Sequence, residues 1–435
     1  MKKVIALAAA LLTALCACAD PNAFSEGERL SDSVKKNQNA AETFNYADGA
    51  SEPPTSYNNY ANAVTDFSLK LLRRRLDETP GKSVLCSPAN TALTLSLLSN
   101  GASGDTKSEI LLQFGGLSAD DLNTCGSYFQ SRMEEVAQTQ RDKRAEDYDP
   151  LDGAHVSLLQ NLTVSQDYDI SASFLQKSAD FYGADVIRVS FDDEKLEQKQ
   201  RSLLSGYNAN ASVSADAGSS LYALTASSLT DKWLAKHTIE EGEFRGSGSA
   251  EKTSFMVSDE SYLSTDAAEG IVAYTADNPL KFIAVVPKNG VSVRDYIDKL
   301  GNAEFDGLLN SMKAGKTVRA AIPCFSIDGG SKALSLRSAL ESCGLHTVFT
   351  DDAHWKYMNI TDRIKLDDLY ELPPSVTVSD SGILAEAQTG GVIKPNGNDK
   401  QVTLNSKKEL RFDKPFAFFF IDNESNIPVY AGVYQ

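Results

Sequence analysis

Small residues occupy alternate positions in the stretch Asp380–Thr389, and this pattern limits what the chain can fold into more than any other feature. Successive side chains of a strand point to opposite faces, so Ala385, Ala387 and Thr389 would share one face of an extended segment. Residues 376–380, directly before them, are β-branched and alternating, which predicts a strand. The stretch therefore predicts a strand followed by a segment that could itself become one.

The polar run from Gly390 to Leu410 follows this stretch and leaves two interpretations open. One is a linker between two strands. The other is an exposed loop that later enters a sheet as an additional strand, which is a known switching device. Loops longer than about 12–15 residues without structure of their own are uncommon and usually functional or disordered. The strand-like face of small residues favours the second interpretation.

The stretch resembles the reactive-centre hinge of serpins, in which an acidic residue, a variable residue and glycine precede small residues ending in threonine. Residues 87–110 resemble the early helix signature of that family, and residues 412–433 resemble its C-terminal strand signature. Three motifs occur in the family's order, so the chain is identified as a member of the serpin family. The hinge residues that match are Asp380, Gly382, Ala385, Ala387 and Thr389, with Ile383 among them at a position where the family usually has threonine or serine.

The resemblance implies an α+β serpin fold with about three β-sheets, a helical layer and an exposed reactive-centre loop. The 435 residues are 42% hydrophobic, which is enough for a substantial core. No internal linker rich in proline or glycine divides residues 59–435, so they are expected to form one domain. The protein is also expected to be a monomer.

The first 18 residues resemble a bacterial lipoprotein signal. Two lysines precede the apolar run 4–15, which is too short to span a bilayer, and Cys18 stands where lipidation would occur. Cys16 departs from the usual small residue, and an ordinary signal peptide remains the alternative. Either form places the protein outside the cytoplasm, secreted or lipid-anchored at the cell surface. Residues 19–58 are rich in Asn, Ser, Ala, Glu and Pro, which predicts a flexible tether.

Composition and motifs exclude several kinds of function. The net charge of −17 argues against nucleic acid and anionic membranes as partners, because both require clustered Lys and Arg. The four histidines lie outside hydrolase and zinc motifs. The four cysteines after Cys18 are widely spaced, which favours free thiols over a metal site. We expect no catalytic residues, no cofactor and no metal.

The resemblance implies a suicide-substrate inhibitor of serine, or cysteine, endopeptidases. The protease cleaves the loop, and the freed strand inserts into the central sheet with the acylated protease attached. Ala385, Ala387 and Thr389 would then face the core, while a stiff apolar Ile383 could slow entry. The family's spacing from the hinge places the scissile bond at Asn396–Gly397, and Lys400–Gln401 is the alternative for a trypsin-like protease.

One departure concerns the polar cluster beneath the central sheet of serpins. The family commonly has asparagine where Thr225 stands, histidine where Leu372 stands and serine where Asn90 stands. A buried polar group without a partner costs about 1–3 kcal/mol, so an apolar or rearranged cluster is expected, with Ser87 and Asn90 bonding locally.

Two other function classes compete with inhibition. A serpin-fold surface protein that binds a ligand without inhibiting would gain little thermal stability when its loop is cleaved, whereas an inhibitor would gain much. A hydrolase with an unrecognised serine has almost no support in the sequence, and a turnover screen would detect it. The target protease is not evident from the sequence.

Overall fold

The computed structural model describes residues 24, 27–37, 52–143, 155–205, 207, 210–214, 216, 218–248, 250–276, 280–359, 361, 364–385 and 408–435. None of the helices within these ranges is long and apolar enough to cross a membrane.

The helices follow the local signals in the sequence. Pro88 occupies the first helical position of α2, where its missing N–H breaks no hydrogen bond. Every residue of α2 is buried, because this helix packs on strands of both sheets. The described helices are α1 Tyr57–Glu78, α2 Pro88–Ser99, α3 Gly104–Leu112, α4 Ala119–Lys143, α5 Ala172–Lys177, α6 Leu196–Leu204, α7 Val293–Lys299, α8 Asn302–Asn310 and α9 Arg337–Ser342, with a π-helical turn at Ser178–Tyr182 and 3₁₀ turns at Leu30–Ser33 and Thr347–Phe349.

The strands form a nine-stranded and an eight-stranded sheet within the described residues. The strands are β1 Val84–Cys86, β2 His155–Ser165, β3 Asp185–Val189, β4 Leu221–Asp231, β5 Thr238–Arg245, β6 Ala250–Ser264, β7 Ala268–Tyr274, β8 Leu280–Pro287, β9 Thr317–Pro323, β10 Phe325–Ile327, β11 Leu334–Ser335, β12 Leu366–Glu371, β13 Val376–Ser379, β14 Gly382–Ala385, β15 Glu409–Arg411, β16 Phe416–Asp422 and β17 Pro428–Tyr434.

The nine-stranded sheet has the order β1-β17-β16-β8-β7-β6-β9-β15, with β5 paired to β6. Residues 255–261 of β6 pair with β9, and residues 261–264 pair with β7. The long strand β6 thus joins two smaller sheets into one. These two joined sheets and the eight-stranded sheet correspond to the three sheets that were expected. The α+β class is confirmed.

The eight-stranded sheet is the central sheet. Its order is β10-β13-β14-β4-β12-β11, with β2 paired to β4 and β3 paired to β2.

Strand β16 of the other sheet is buried on both faces: Phe416, Phe418 and Phe420 enter the larger core, whereas Phe419 enters a second core below α7 and α8. The central sheet therefore rests on a rigid apolar support.

Part of the predicted tether packs on the domain. Phe24 is 5% exposed and lies in an apolar cluster with Ile187 of β3 and Leu203 of α6. The Arg29 Nη1 atom lies 2.9 Å from Asp185 Oδ1, and the Arg188 N–H donates to the Glu28 carbonyl. The expectation of a solvated chain is therefore wrong for residues 27–37, because apolar and ionic contacts offset the entropy of ordering them.

Candidate functional site

The predicted hinge is a strand of the central sheet. After β13 the chain turns at Asp380 and Ser381 and returns as β14, which lies between β13 and β4. Strand β14 is antiparallel to both neighbours: Ile383 pairs with Val378 of β13 and with Asp231 of β4. The segment up to Ala385 is thus already inserted.

Gly382 is required by the geometry of this turn. Its φ of +149° is a backbone conformation that L side chains rarely adopt. A Cβ at this position would also lie far inside van der Waals distance of the Asp231 carbonyl oxygen. The glycine at the start of the hinge therefore allows β14 to approach β4.

Ile383 anchors the inserted strand. Its side chain is fully buried in the larger core, whereas the next residue, Leu384, is half-buried. This alternation matches the predicted period of two. The stiff side chain that we expected to slow entry already lies inside the protein.

Trp233 connects β13 to the strands behind it. Its indole N–H donates a 2.7 Å hydrogen bond to the Ser379 carbonyl, at the last residue before the hinge turn. The ring packs edge-on against Phe282 of β8 and against His237. This bond to the hinge turn was not predicted from the sequence.

A buried ionisable pair lies behind Trp233. His237 Nε2 is 3.7 Å from Glu260 Oε1, and both side chains are almost inaccessible to solvent. Burial lowers the pKa of His237 to about 4. Burial also raises the pKa of Glu260 to about 7, opposed by the Ser258 hydroxyl that donates to it and assisted by the charge of Asp259. No pattern in the sequence predicted this pair.

In the polar cluster beneath the sheet, Asn90 and Ser87 bond to partners far away in the sequence, and not locally as expected. The Asn90 amide donates to the Ala226 and Leu159 carbonyls, at 2.8 and 3.3 Å, and Asn90 Oδ1 accepts a 2.6 Å bond from Gln160. The Ser87 hydroxyl donates to the Val429 carbonyl at 3.1 Å. Gln160 had not been predicted as a member.

Three other residues belong to this cluster. Leu372 is buried, and the hydroxyl of Thr225 has no hydrogen-bond partner among the described residues. Glu371, also unpredicted, accepts a 2.7 Å bond from the Ser87 N–H, and burial raises the pKa of its carboxyl group. The cluster is therefore held mainly by bonds between side chains and backbone groups, with Asn90–Gln160 as a side-chain pair.

Comparison with known proteins identifies the family. Residues 62–435 match the family model Serpin (serine protease inhibitor). The chain belongs to the serpin family. The plasma serine protease inhibitor of Homo sapiens is 24% identical over 371 residues, which cover 82% of this chain and 86% of that protein.

Solved structures show the same serpin fold. The thermophilic serpin tengpin in its native state has a TM-score of 0.74 at 22% identity, covering 93% of this chain and 98% of that one. Human thyroxine-binding globulin complexed with thyroxine has a TM-score of 0.67 at 16% identity, covering 86% and 98%. At these identities the likeness establishes the fold.

Several predicted positions of this serpin lie outside the described residues. They are Ala387 and Thr389 of the hinge, the scissile candidates Asn396, Gly397, Lys400 and Gln401, and Cys18. Asp380, Gly382, Ile383 and Ala385 are brought together at the hinge turn and β14. The described residues include no group of His, Cys, Asp and Glu arranged to hold a metal ion, and Cys86, Cys125, Cys324 and Cys343 are free thiols.

Substitutions in the polar cluster should differ sharply in cost. Asn90→Ala removes three hydrogen bonds and leaves the Gln160 amide without this acceptor, so we expect a loss of about 2–3 kcal/mol of unfolding free energy. Thr225→Val, a change of similar volume, removes an unpaired hydroxyl and should cost less than about 0.5 kcal/mol. Urea denaturation measures both. Equal costs would contradict this assignment of bonds.

Proposed function

We propose that this serpin inhibits a serine endopeptidase by inserting its cleaved loop into the central sheet. The observation that carries the proposal is β14, whose residues up to Ala385 already pair with strands on both sides. A loop whose first residues lie in the sheet can continue in the same register without a new nucleation step.

The central sheet must open to admit the rest of the loop. Strand β4 pairs with β12 at Leu221–Thr225 and with β14 at Leu229–Asp231, and the residues 226–228 lie between these two ladders. Further insertion separates β4 from β12 and replaces their parallel pairing with two antiparallel ladders. Each inserted residue would gain ladder hydrogen bonds and burial, which supplies the driving force.

The chemistry belongs to the protease. Its serine Oγ attacks the scissile carbonyl carbon, the C–N bond breaks, and the new amine leaves with a proton donated by the protease. An ester then joins the protease to the loop. Insertion moves the ester away from the protease's catalytic groups before water can hydrolyse it. We place the scissile bond at Asn396–Gly397, with Lys400–Gln401 as the alternative, and mass spectrometry of the nicked loop distinguishes them.

The decisive experiment mixes the protein with a panel of serine and cysteine proteases and separates the products in denaturant. An inhibitor yields a covalent adduct of protease and serpin, together with some cleaved serpin. Cleaved serpin accompanied only by fully active protease would contradict the proposal. Chemical denaturation before and after loop cleavage provides a second readout, since insertion should raise the midpoint strongly.

A non-inhibitory binding protein is the second candidate. Thyroxine-binding globulin shares the fold and, by its name, binds a small ligand. In that case loop cleavage would leave the denaturation midpoint of this protein nearly unchanged.

We further propose that the protein acts outside the cytoplasm, held at the surface through a lipid on Cys18. Metabolic labelling with a radioactive fatty acid should label the wild type and not Cys18→Ala. Label retained in the variant, or absent from both proteins, would contradict the anchor.

A further inference from the structure

Asp367 lies in a bulge of β12 and bonds directly to the start of β4. The parallel register of β12 with β4 shifts between Leu366 and Asp368, so Asp367 is the additional residue of the bulge. Its Oδ2 atom accepts two backbone hydrogen bonds, from the Ser220 N–H at 2.6 Å and from the Leu221 N–H at 3.1 Å. One carboxylate therefore joins β12 to the first residues of β4.

These two bonds lie at the end of β4 that an inserting strand reaches last. Strand β14 already pairs with β4 at Leu229–Asp231, and β12 pairs with it at Leu221–Thr225. A strand that continues from β14 along β4 displaces β12 at Thr225 first and at Leu221 last. The bonds of Asp367 are therefore the final contacts between β12 and β4 that complete insertion must break.

Ser220 also bonds to β2 at this point. Its carbonyl accepts a 2.8 Å hydrogen bond from the Ser165 N–H of β2, while its own N–H donates to Asp367. Ser220 thus connects β2 to β12 across the line at which the sheet opens. Because a hydrogen bond to an ionised acceptor is roughly twice as strong as one between neutral groups, the release of Asp367 costs more than the loss of an ordinary ladder bond.

We propose that Asp367 is a positioning residue that opposes complete insertion in this serpin, because it keeps the start of β4 against β12 until the rest of their pairing has been displaced. This inference rests on the proposed function and names a residue that sets how often insertion is completed before the acyl-enzyme is hydrolysed. A side chain that merely capped β4 would contribute equally before and after loop cleavage. Asp367 contributes only while the sheet is closed.

The first test follows hydrogen exchange by mass spectrometry in peptides that cover residues 218–225, before and after the loop is nicked by limited proteolysis. In uncleaved Asp367→Ala these amides should exchange about tenfold faster than in wild type, since two hydrogen bonds to a carboxylate are lost. After nicking, the variant and wild type should exchange alike. Asp368→Ala is the matched control, because the Asp368 carboxylate accepts a 2.8 Å bond from the Leu369 N–H of its own strand.

Two results of this test would overturn the proposal. One is faster exchange in Asp367→Ala that persists to the same degree after nicking, which is the behaviour of a simple cap. The other is uncleaved Asp367→Ala that exchanges no faster than Asp368→Ala. A wild-type denaturation midpoint that nicking leaves unchanged would instead contradict the proposed function, and this proposal with it.

The second test measures the ratio of covalent adduct to cleaved serpin with a protease that the wild type captures. Asp367→Ala should increase this ratio about tenfold, because complete insertion then breaks two fewer bonds. Asp367→Asn retains an oxygen that can accept both N–H groups, so its ratio should lie between those of wild type and Asp367→Ala. Asp368→Ala should stay within about twofold of wild type. A ratio at the wild-type level in Asp367→Ala would overturn the proposal.

Discussion

Under the proposed mechanism, Gly382→Val should convert the protein from an inhibitor into a substrate. The side chain would meet the Asp231 carbonyl, and the φ of +149° is unfavourable for a branched residue, so β14 could not stay beside β4. The loop would still be cut, but insertion would begin from a displaced hinge. We expect covalent adduct to fall at least about 100-fold, since about 3 kcal/mol of strain corresponds to that factor.

The measurement is the ratio of adduct to cleaved serpin at fixed protease. Ser381→Ala is the matched control, because it changes the adjacent residue of the same turn and leaves Gly382 in place. Hydrogen exchange at Ile383–Ala385 should become faster in Gly382→Val and stay unchanged in the control. Adduct formation at the wild-type level in Gly382→Val would show that β14 is not needed for inhibition.

Glu260→Gln should stabilise the protein at neutral and alkaline pH and have little effect under acidic conditions. The folded protein raises the pKa of Glu260 from 4.5 to about 7, so it binds this proton more tightly than the unfolded chain does. The cost of ionising the buried carboxyl group is absent below pH 4.5, grows as the pH rises, and is complete above pH 7. We expect a gain of about 3 kcal/mol at pH 8.

His237→Phe should show the opposite dependence on pH. Folding lowers the pKa of His237 from 6.5 to about 4, so the folded protein resists protonation of the ring. The cost is absent above pH 6.5, increases as the pH falls, and is complete below about pH 4. The variant should therefore gain stability relative to wild type only in acid.

Urea denaturation across pH 4 to 8 tests the two variants together. Between about pH 4.5 and 6.5 the cost from Glu260 rises with pH while the cost from His237 falls, so the two slopes cancel in the wild type. Each single variant should therefore show the pH slope of the group that remains. The double variant, Glu260→Gln with His237→Phe, serves as the control and should lack both slopes. Stability differences from wild type that do not vary with pH would contradict the assignment.

The hinge could be predicted from the sequence because its signal is local. Alternation of side chains between two faces is a property of consecutive residues, and the buried Ile383 beside the half-buried Leu384 follows it. The depth of insertion could not be predicted, because it depends on pairing with β4, which lies about 150 residues earlier in the chain. The residues of one short segment do not reveal the free energy of pairing with a strand so far away in the sequence.

The buried carboxyl groups could not be predicted from the sequence for a similar reason. Glu260 stands in the polar run Ser258-Asp259-Glu260-Ser261, and Glu371 stands between Tyr370 and Leu372. Both contexts suit a solvent-facing position, yet both side chains are buried. Only the packing of other strands and helices against them removes the water. Composition gave the wrong expectation at residues 27–37, because Phe24 and the distant ion pairs Arg29–Asp185 and Glu28–Lys199 help to order a segment that is otherwise polar.

Under the proposed lipid anchor, the docked N-terminal segment limits how far the protein can lie from a membrane. With a lipid at Cys18 and Phe24 held in its apolar cluster, only five residues lie between the lipidated cysteine and the body of the protein, which makes six Cα-to-Cα steps. Fully stretched, they span about 20 Å. The molecule would then sit close to the lipid headgroups with one flank turned toward them, and would meet proteases at the cell's own boundary.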